Sequence, residues 1–309
     1  MKIDKIYQLF QQSSGVCTDT RSLKNNQLFF ALKGPSFNGD DFAVEAIKNG
    51  AAYAIVSEDC DDKNDQIIPV SDPLKTLQDL ARFHREQFEI PVIGLTGSNG
   101  KTTTKELINA VLSSEYETLC TQGNLNNHIG VPLTLLRLQP SHEIAIIEMG
   151  ANHQGEIAEL CKIANPNLGL ITNFGKAHLE GFGGIEGVIK GKSELYQYLI
   201  HVGGVIFFNE EDSIQKEKLT AYDNCSSYGL VEEADTYLEL LQTAPTLTLK
   251  WENLELSSSL FGKYNALNIA AAVALGSFFE IDPTAVQKSL MNYHAKQMRS
   301  EIRTINGKQ

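Results

Sequence analysis

Strand-like and helical periods of apolar residues alternate in the first 88 residues of the chain. The strand-like runs are QLFFALKG (27–34) and AAYAIVS (51–57), and the helical segments are DFAVEAIKNGA (41–51) and SDPLKTLQDLARFHREQF (71–88). The last helical segment must stop before Pro91, because a proline inside a helix removes a hydrogen bond and clashes with the preceding turn. The pattern predicts a small mixed α/β domain over residues 1–88.

From residue 89 onward, continuous apolar runs alternate with longer segments of helical period. The apolar runs are 92–96, 143–150, 167–173 and 203–209, and the helical segments start near 102 or cover 154–164, 186–200 and 265–279. Short β-type runs lie within 236–262, with a turn at Ala244-Pro245. Continuous apolar strands separated by helices are typical of a mostly parallel sheet flanked by helices. The pattern predicts a central α/β domain over residues 89–309.

The stretch GLTGSNGKTTTKE (94–106) joins an apolar strand to a helix. Its glycines permit a tight turn whose backbone N–H groups, with the N-terminal end of the helix, can surround a phosphate. Lys101 would neutralise phosphate oxygens, and the Thr102 hydroxyl would hold Mg²⁺. The spacing is shorter than GxxxxGK[ST], since the first required glycine falls on Leu95, and a glycine-rich surface turn is the alternative. The predicted phosphate-binding residues are Gly97, Ser98, Asn99, Gly100, Lys101, Thr102 and Thr103.

Two ionisable residues follow neighbouring predicted strands. Glu148 ends the run 143–150, and His178 lies a few residues beyond the run 167–173. Ligands bind at the carboxyl ends of parallel strands, so both side chains are expected at the edge that carries the phosphate loop. There they suit a divalent metal that bridges phosphates. The alternatives are a helix-capping or salt-bridged carboxylate and an ordinary loop histidine.

Charge and composition exclude some classes of partner. The 309 residues include 26 Lys and Arg against 38 Asp and Glu, and the net charge of −12 argues against sequence-independent binding of nucleic acid or of an anionic membrane. No apolar run reaches the roughly 18 residues that a membrane span requires. Five dispersed cysteines, with no metal spacing, are expected to be reduced thiols. The cytoplasm is the expected compartment, with no nucleic-acid partner and no membrane insertion.

Six stretches in order resemble the Mur ligases, and among them the MurF-type branch. They are 94–106, GNLNNHIGVPLTLL (123–136), IIEMGANHQGEI (146–157), ITNFGKAHLEGFG (171–183), KGKSELY (190–196) and FGKYNALNIAAAVALG (261–276). The resemblance implies ATP-driven, Mg²⁺-dependent amide formation in peptidoglycan precursor synthesis. The carboxylate of UDP-N-acetylmuramoyl-tripeptide would attack ATP to give an acyl phosphate, from which D-alanyl-D-alanine would displace phosphate.

The same resemblance implies roles for single residues. Thr102 and Glu148 would hold the ATP-bound magnesium, and Glu148 and His178 would reach a second ion. Lys192 matches a lysine that is carbamylated in the family, whereas its sequence context alone indicates a solvated helix residue. Catalytic roles would fall to Lys101, Lys192 and His178. Asn268 would contact adenine, or would be a plain polar position on a helix.

The resemblance also implies where the muramoyl nucleotide binds. The stretch CTDTRSLKNNQLFFALKGPSFNGDDF (17–42) resembles the family's uridine-nucleotide domain. A loop within 123–136 would lie between the nucleotide and the muramoyl substrate. Arg21 could instead form a surface ion pair, and the asparagines could be favoured by turn geometry alone. The substrate-binding residues implied are Thr18, Asp19, Thr20, Arg21, Asn38, Gly39, Asn124 and Asn127.

The chain stops at MRSEIRTINGKQ (298–309), about where the family's linker to a third, Rossmann-like domain would lie. We expect a two-domain, monomeric fragment with little ligase activity alone. Within the enzyme class, the alternative is another Mur ligase or a folylpolyglutamate-synthase-like ligase, because these share the phosphate loop and the metal residues. A non-catalytic nucleotide-binding module is the alternative from another class, although such a protein would not need the residues of the second metal.

Overall fold

The computed structural model describes residues 2–62 and 64–294, so the stretch 298–309 lies outside the described residues. The helices are α1 (Ile3–Gln11), α2 (Ala43–Lys48), α3 (Pro73–Arg85), α4 (Lys101–Leu112), α5 (Gly130–Leu135), α6 (Glu156–Ala164), α7 (Leu179–Phe182), α8 (Ile185–Val202), α9 (Ser213–Leu219), α10 (Lys263–Phe278) and α11 (Pro283–Met291). Short 3₁₀ helices cover Thr20–Ser22 and Gly39–Phe42.

The strands form two parallel sheets and two smaller antiparallel ones. They are β1 (Val16–Cys17), β2 (Leu28–Phe30), β3 (Lys33–Gly34), β4 (Phe37–Asn38), β5 (Tyr53–Ser57), β6 (Ile67–Val70), β7 (Val92–Thr96), β8 (Thr118–Cys120), β9 (Ile144–Glu148), β10 (Leu168–Ile171), β11 (Val205–Asn209), β12 (Cys225–Gly229), β13 (Thr236–Tyr237), β14 (Glu239–Gln242), β15 (Leu247–Trp251) and β16 (Leu254–Ser258).

The chain divides into two compact units by its internal contacts. The first unit comprises Met1–Glu89, Leu125–Pro140 and Lys162–Asn165. The second unit comprises Ile90–Asn124, Ser141–Cys161 and Pro166–Gln309. The first unit therefore includes two segments that lie beyond residue 89 in the sequence.

The first unit is built on a four-stranded parallel sheet in the order β1-β2-β5-β6. Phe29 of β2 lies opposite Ala54 of β5 in this sheet. Helix α2 packs its small residues Ala43 and Ala46 into the same apolar cluster as these strands. Asp72 caps α3 by accepting a hydrogen bond from the backbone N–H three residues later, which explains why this helix begins at its proline.

The predicted single strand over 27–34 is wrong in its extent. The Ala31 N–H still donates to the Ile55 carbonyl across the parallel sheet. The chain then leaves this sheet in a tight turn, in which the Leu32 N–H donates to the Phe30 carbonyl. Residues 33 and 34 then pair with β4 in a separate antiparallel hairpin. The apolar run continues through this turn because Ala31 and Leu32 are buried, so hydrophobicity alone does not reveal it.

The second unit is built on a seven-stranded sheet in the order β13-β12-β11-β10-β7-β9-β8, and every adjacent pair is parallel. Ile93 and Leu95 of β7 join the apolar cluster formed with α4 and α10. A Cβ added at Gly94 would lie on the opposite face of the sheet, 3.3 Å from Leu195 of α8. Because side chains of a strand alternate between faces, helices cover both sides of this sheet.

The fold class predicted from the sequence is confirmed. The four apolar runs are β7, β9, β10 and β11, and the segment 236–262 contains the edge strand β13 and the antiparallel sheet β14-β15-β16. Sequence patterning missed β12, which reads CSSYG, because its buried Ser227 is polar and is held by Asp235 at 2.7 Å through its backbone N–H. All five cysteines are free. Within the described residues, no helix is long and apolar enough to cross a bilayer.

Candidate active site

A glycine-rich loop connects β7 to α4 at the carboxyl edge of the seven-stranded sheet. Gly97 has φ +144° and Gly100 has φ +80°, and residues with a Cβ rarely adopt such backbone angles. A Cβ on Gly97 would lie 2.0 Å from Thr172 Oγ1, and one on Gly100 would lie 2.8 Å from Asn268 Oδ1. Both positions require glycine for the backbone conformation and for the close approach of a neighbour.

The segment after β10 braces this loop through hydrogen bonds. Thr172 Oγ1 and Asn173 Nδ2 donate to the Asn99 carbonyl at 2.6 and 2.9 Å. In return, the backbone N–H groups of Ser98 and Asn99 donate to the carbonyl and side-chain oxygens of Asn173, at 3.0 and 3.1 Å. The conformation of the loop is therefore fixed by the neighbouring strand. A role for the Ser98 and Asn99 N–H groups toward phosphate stays a prediction.

Helix α4 begins at Lys101, and its first N–H groups have no carbonyl ahead of them within the helix. Thr102 and Thr103 lie in this first turn. The Lys101 ammonium lies across the loop, where Nζ donates to the carbonyls of Gly97 at 2.7 Å and Ser98 at 3.2 Å. A helix N-terminus and a lysine thus converge at the turn, as anion binding requires.

Glu148 ends β9 in the strand register next to Leu95 of β7, and only 1% of its surface is exposed. Thr102 Oγ1 donates to Glu148 Oε1 at 3.2 Å. The hydroxyl and the carboxylate that the sequence predicts for magnesium are therefore in contact. Lys105 Nζ lies 3.9 Å from Glu148 Oε2, so the salt-bridge alternative is also present.

The oxygen donors at this edge fit Mg²⁺ better than a zinc-like cage. Among residues 2–62 and 64–294, no three of His, Cys, Asp and Glu form a metal-binding group. Mg²⁺ is usually held in proteins by one or two carboxylates together with substrate phosphates and water. The Thr102 hydroxyl and the Glu148 carboxylate supply such a partial set of hard oxygen ligands.

Lys192 is a buried residue of α8, with 2% of its surface exposed. Nζ donates to the Ala151 carbonyl at 3.3 Å and lies 5.1 Å from the centre of the Phe182 ring. Burial, and then the positive charge of Lys101, lower the pKa of Lys192 to about 8, although nearby glutamates oppose this shift. The structure contradicts the interpretation of Lys192 as a solvated helix residue.

His178 is exposed and lies beyond the end of β10, immediately before α7. Its backbone is left-handed, with φ +53°, which is uncommon for a residue with a Cβ. Together with Asn152, Lys176 and Gly181, it lines a surface cavity of about 410 Å³. The proposed metal role of His178 rests on no described cluster of ligands and stays a prediction.

Asn268 holds α10 against the start of α4. Its Oδ1 accepts a hydrogen bond from Thr104 Oγ1 at 3.0 Å, and its Nδ2 donates to Asn265 Oδ1 at 2.9 Å. Both polar ends of this buried side chain are thus engaged within the protein. The structure shows that Asn268 supports the helix that follows the glycine loop, and its contact with adenine stays a prediction.

The residues predicted to bind the uridine nucleotide form local hydrogen bonds in the first unit. Arg21 Nη2 lies 2.6 Å from Asp19 Oδ2, and hydrogen bonds from Arg21 lower the pKa of Asp19 to about 2. Thr18 precedes this pair, and Thr20 begins a 3₁₀ helix. The surface ion pair considered as the alternative for Arg21 is therefore present, and the binding role stays a prediction.

Asn38 and Gly39 shape a second turn of this unit. Asn38 Oδ1 accepts a hydrogen bond from the backbone N–H of Asp40 at 3.3 Å. A Cβ on Gly39 would lie 2.4 Å from the Leu32 carbonyl oxygen, so this position has no room for a side chain. The geometry of the turn therefore explains why asparagine and glycine occupy these two positions. Their role in binding substrate stays a prediction.

The two predicted asparagines of the stretch 123–136 fall in different units. Asn127, in the first unit, accepts hydrogen bonds from the backbone N–H groups of Ile129 and Gly130 at 3.1 and 2.9 Å, which caps the start of α5. Asn124 belongs to the second unit and is exposed. Turn geometry therefore accounts for Asn127, and both substrate roles stay predictions.

Sequence reasoning missed two features of the site: the hydrogen bonds by which Thr172 and Asn173 hold the glycine loop, and the burial of Lys105. A usable signal for the brace was present, because ITN places two polar residues directly after a buried strand. Lys105 carries no such signal, because a lysine in a helix of mixed polarity usually faces solvent.

Comparison with known proteins gives a consistent picture. The family pattern described as Mur ligase middle domain matches residues 95–276, and the pattern described as Mur ligase family, catalytic domain, matches residues 12–85. A Bacillus subtilis (strain 168) protein named UDP-N-acetylmuramoyl-tripeptide–D-alanyl-D-alanine ligase is 38% identical over 300 residues, which cover 95% of this chain and 65% of that protein. The chain thus spans somewhat less than two thirds of this relative.

Two solved structures are similar in fold and in sequence. The MurF ligase from Thermotoga maritima in complex with ADP has a TM-score of 0.84 and 29% identity, covering 97% of this chain and 70% of that one. A MurF structure from Acinetobacter baumannii has a TM-score of 0.82 and 34% identity, covering 94% and 68%. Because the middle-domain pattern spans more than half of the sequence and includes Glu148, Lys192 and the glycine loop from Leu95 onward, this chain belongs to the Mur ligase family.

Proposed function

We propose that this chain takes part in ATP-dependent amide-bond formation, joining D-alanyl-D-alanine to UDP-N-acetylmuramoyl-tripeptide in the synthesis of peptidoglycan precursors. The contact between Thr102 and Glu148 beside the glycine loop carries this proposal. It places two oxygen atoms suited to Mg²⁺ next to a helix N-terminus and a lysine. Sites that transfer phosphoryl groups use the same combination of groups. A relative of similar sequence is named for this reaction.

In this proposal, the loop and Lys101 hold the phosphates of ATP. The Lys101 ammonium already lies across the loop, so a short movement of its flexible stem brings it onto phosphate oxygens. Mg²⁺, held by Thr102 and Glu148, would neutralise charge on the phosphates where two anions must meet. Glu148 is suited to this task because its burial fixes the carboxylate.

The substrate residues extend the proposal to the muramoyl nucleotide. A domain over 1–88, with Thr18, Asp19, Thr20, Arg21, Asn38 and Gly39, binds its uridine part, while the domain over 89–309 binds ATP. Asn268 contacts adenine, and Asn124 and Asn127 contact the muramoyl substrate. Glu148 and His178 reach a second cation near the acyl phosphate, a carbamylated Lys192 is a further anionic partner of the metal, and the chain acts as a monomer.

Lys192 is expected to form a carbamate with CO₂ under mild conditions. Only the neutral amine attacks CO₂, and with a pKa of about 8 roughly a quarter of Lys192 is neutral at pH 7.5. At fixed CO₂ pressure, carbamate should therefore increase as pH rises through 8. Protein incubated with ¹³C-bicarbonate should show a carbamate NMR signal that disappears in Lys192→Met and persists in a variant of the exposed Lys190. A signal unaffected by Lys192→Met contradicts the assignment.

Trapping the activated intermediate tests the proposed reaction without requiring the amine substrate. The chain is incubated with Mg²⁺-ATP, UDP-N-acetylmuramoyl-tripeptide and hydroxylamine, which converts an acyl phosphate into a stable hydroxamate. The proposal predicts a muramoyl hydroxamate by mass spectrometry, and ADP formation that depends on the muramoyl nucleotide. A parallel incubation replaces the muramoyl nucleotide with folate. A hydroxamate formed only from folate, or ATP hydrolysis regardless of the muramoyl nucleotide, contradicts the proposal.

A further inference from the structure

Lys105 is a buried cation that lies one turn into α4 from the phosphate loop, with 2% of its surface exposed. Nζ donates to the Thr121 carbonyl at 2.8 Å. It also lies 3.9 Å from Glu148 Oε2 and 4.0 Å from Glu106 Oε1. A lysine is rarely buried to this extent unless its charge is paired, so the ammonium is held between a carbonyl and two carboxylates.

The contacts of Glu148 divide between its two oxygens. Oε1 accepts the Thr102 hydroxyl at 3.2 Å, whereas Oε2 faces Lys105 at 3.9 Å. The backbone N–H of Glu148 donates to Thr121 Oγ1 at 3.0 Å, and the carbonyl of the same Thr121 holds Lys105. Thr121 therefore holds both the backbone of Glu148 and the ammonium of Lys105, which lies on the Oε2 side of the carboxylate.

Lys105 is itself anchored from a second direction. Tyr293, which follows α11, donates its hydroxyl to Glu106 Oε2 at 2.7 Å, while Glu106 Oε1 is the oxygen that faces Lys105. The lysine is thus part of a polar chain that runs from Tyr293 to Thr102. The Lys105 side chain cannot move into solvent without breaking its buried hydrogen bond to the Thr121 carbonyl and its contact with Glu148.

We infer that Lys105 is a positioning residue that orients Glu148 toward the magnesium of the nucleotide site. This inference rests on the proposed function, because it presumes that Thr102 and Glu148 bind Mg²⁺ with ATP. Lys105 touches neither nucleotide nor metal in this role. Its ammonium attracts one carboxylate oxygen and thereby leaves the other beside the Thr102 hydroxyl. Partners that orient metal ligands in this way typically change metal affinity by 10- to 100-fold when removed.

The inference is tested by the Mg²⁺ dependence of nucleotide binding in a double-mutant cycle. Calorimetry with the non-hydrolysable analogue AMP-PNP gives the Mg²⁺ concentration for half-maximal binding in the unmodified chain, in Lys105→Gln, in Glu148→Gln and in the double variant. We expect Lys105→Gln to raise this concentration about 10- to 100-fold. In the Glu148→Gln background, where no carboxylate remains to be oriented, the same change should alter it less than about twofold.

A purely structural role would give a different result. If Lys105 only supports the fold, its replacement should weaken binding by the same factor in both backgrounds, and this outcome, or an unchanged Mg²⁺ requirement, overturns the inference. Circular dichroism checks that each variant is folded. If Lys105→Gln does not fold, Lys105→Met is measured in both backgrounds, since it removes the charge but keeps a long apolar stem. The same background-dependent shift is then expected, and its absence overturns the inference.

The unmodified chain separates this inference from the proposed function. Mg²⁺-dependent AMP-PNP binding by the unmodified chain, with no change in Lys105→Gln, overturns the positioning role alone. Absence of Mg²⁺-dependent binding in the unmodified chain overturns the proposed function and the inference together. Lys190→Gln, which changes an exposed lysine of α8, serves as the matched control and should leave the Mg²⁺ requirement unchanged.

Discussion

Gly97→Ala should lower the affinity for an ATP analogue at least about 100-fold, which corresponds to roughly 2.7 kcal/mol. The new Cβ would lie 2.0 Å from Thr172 Oγ1 and 3.0 Å from the backbone nitrogen of the same residue. The Gly97 backbone, with φ +144°, is also unfavourable for alanine. The loop must therefore move away from Thr172, which breaks the hydrogen bond to the Asn99 carbonyl. Calorimetry with Mg²⁺ and AMP-PNP measures the loss.

Gly203→Ala is the matched control for this change. Gly203 also has positive φ, at +70°, but an added Cβ meets no atom within 4 Å, and the residue lies at the end of α8. Its replacement should cost about 1 kcal/mol of stability and leave nucleotide affinity unchanged. A folded Gly97→Ala variant that binds as tightly as Gly203→Ala would show that the loop does not hold the nucleotide.

Lys101→Ala should weaken nucleotide binding about 10- to 100-fold and slow phosphoryl transfer about 100- to 1,000-fold, because an aligned cation matters most where charge develops. The fold should survive, since Lys101 is half-buried and its described hydrogen bonds go to loop carbonyls. Lys190→Ala is the control that removes an exposed lysine. Unfolding of Lys101→Ala would make this lysine structural, and unchanged nucleotide binding would remove it from the site.

Lys101→Ala should also change the chemistry of Lys192. The positive charge of Lys101 is the second cause, after burial, of the lowered pKa of Lys192. Its removal should raise that pKa toward the ordinary value for lysine, so less neutral amine is present at pH 7.5. The carbamate signal of Lys192 should therefore decrease in Lys101→Ala at fixed CO₂ pressure. An unchanged signal would show that the two charges do not interact.

The sequence was sufficient to locate the glycine-rich loop between β7 and α4 because its determinants are local. A buried strand, glycines at the turn and a helix start all lie within residues 92–106, and each has its own pattern. The place of Glu148 at the same edge followed from one further rule, that the ends of parallel strands meet there. The structure brings Thr102 and Glu148 into contact, as this reasoning requires.

The remainder of the site depends on packing between distant segments. Nothing near Lys192 in the sequence indicates that α8 turns it inward beneath Phe182, and nothing near Lys105 indicates Thr121 and Glu148 as partners. The division of 27–34 into two strands likewise depends on the separate pairing of residues 33 and 34 with β4. Such contacts arise from the tertiary fold and leave little periodic signal.

Calorimetric titration of this 309-residue chain with AMP-PNP and Mg²⁺, followed by UDP-N-acetylmuramoyl-tripeptide, tests the central claim most directly. The account predicts saturable binding of both ligands, with nucleotide binding that requires Mg²⁺ and is lost in Gly97→Ala. A folded chain that binds the ATP analogue but not the muramoyl nucleotide would contradict the assigned substrate. A folded chain that binds neither ligand would contradict the account as a whole.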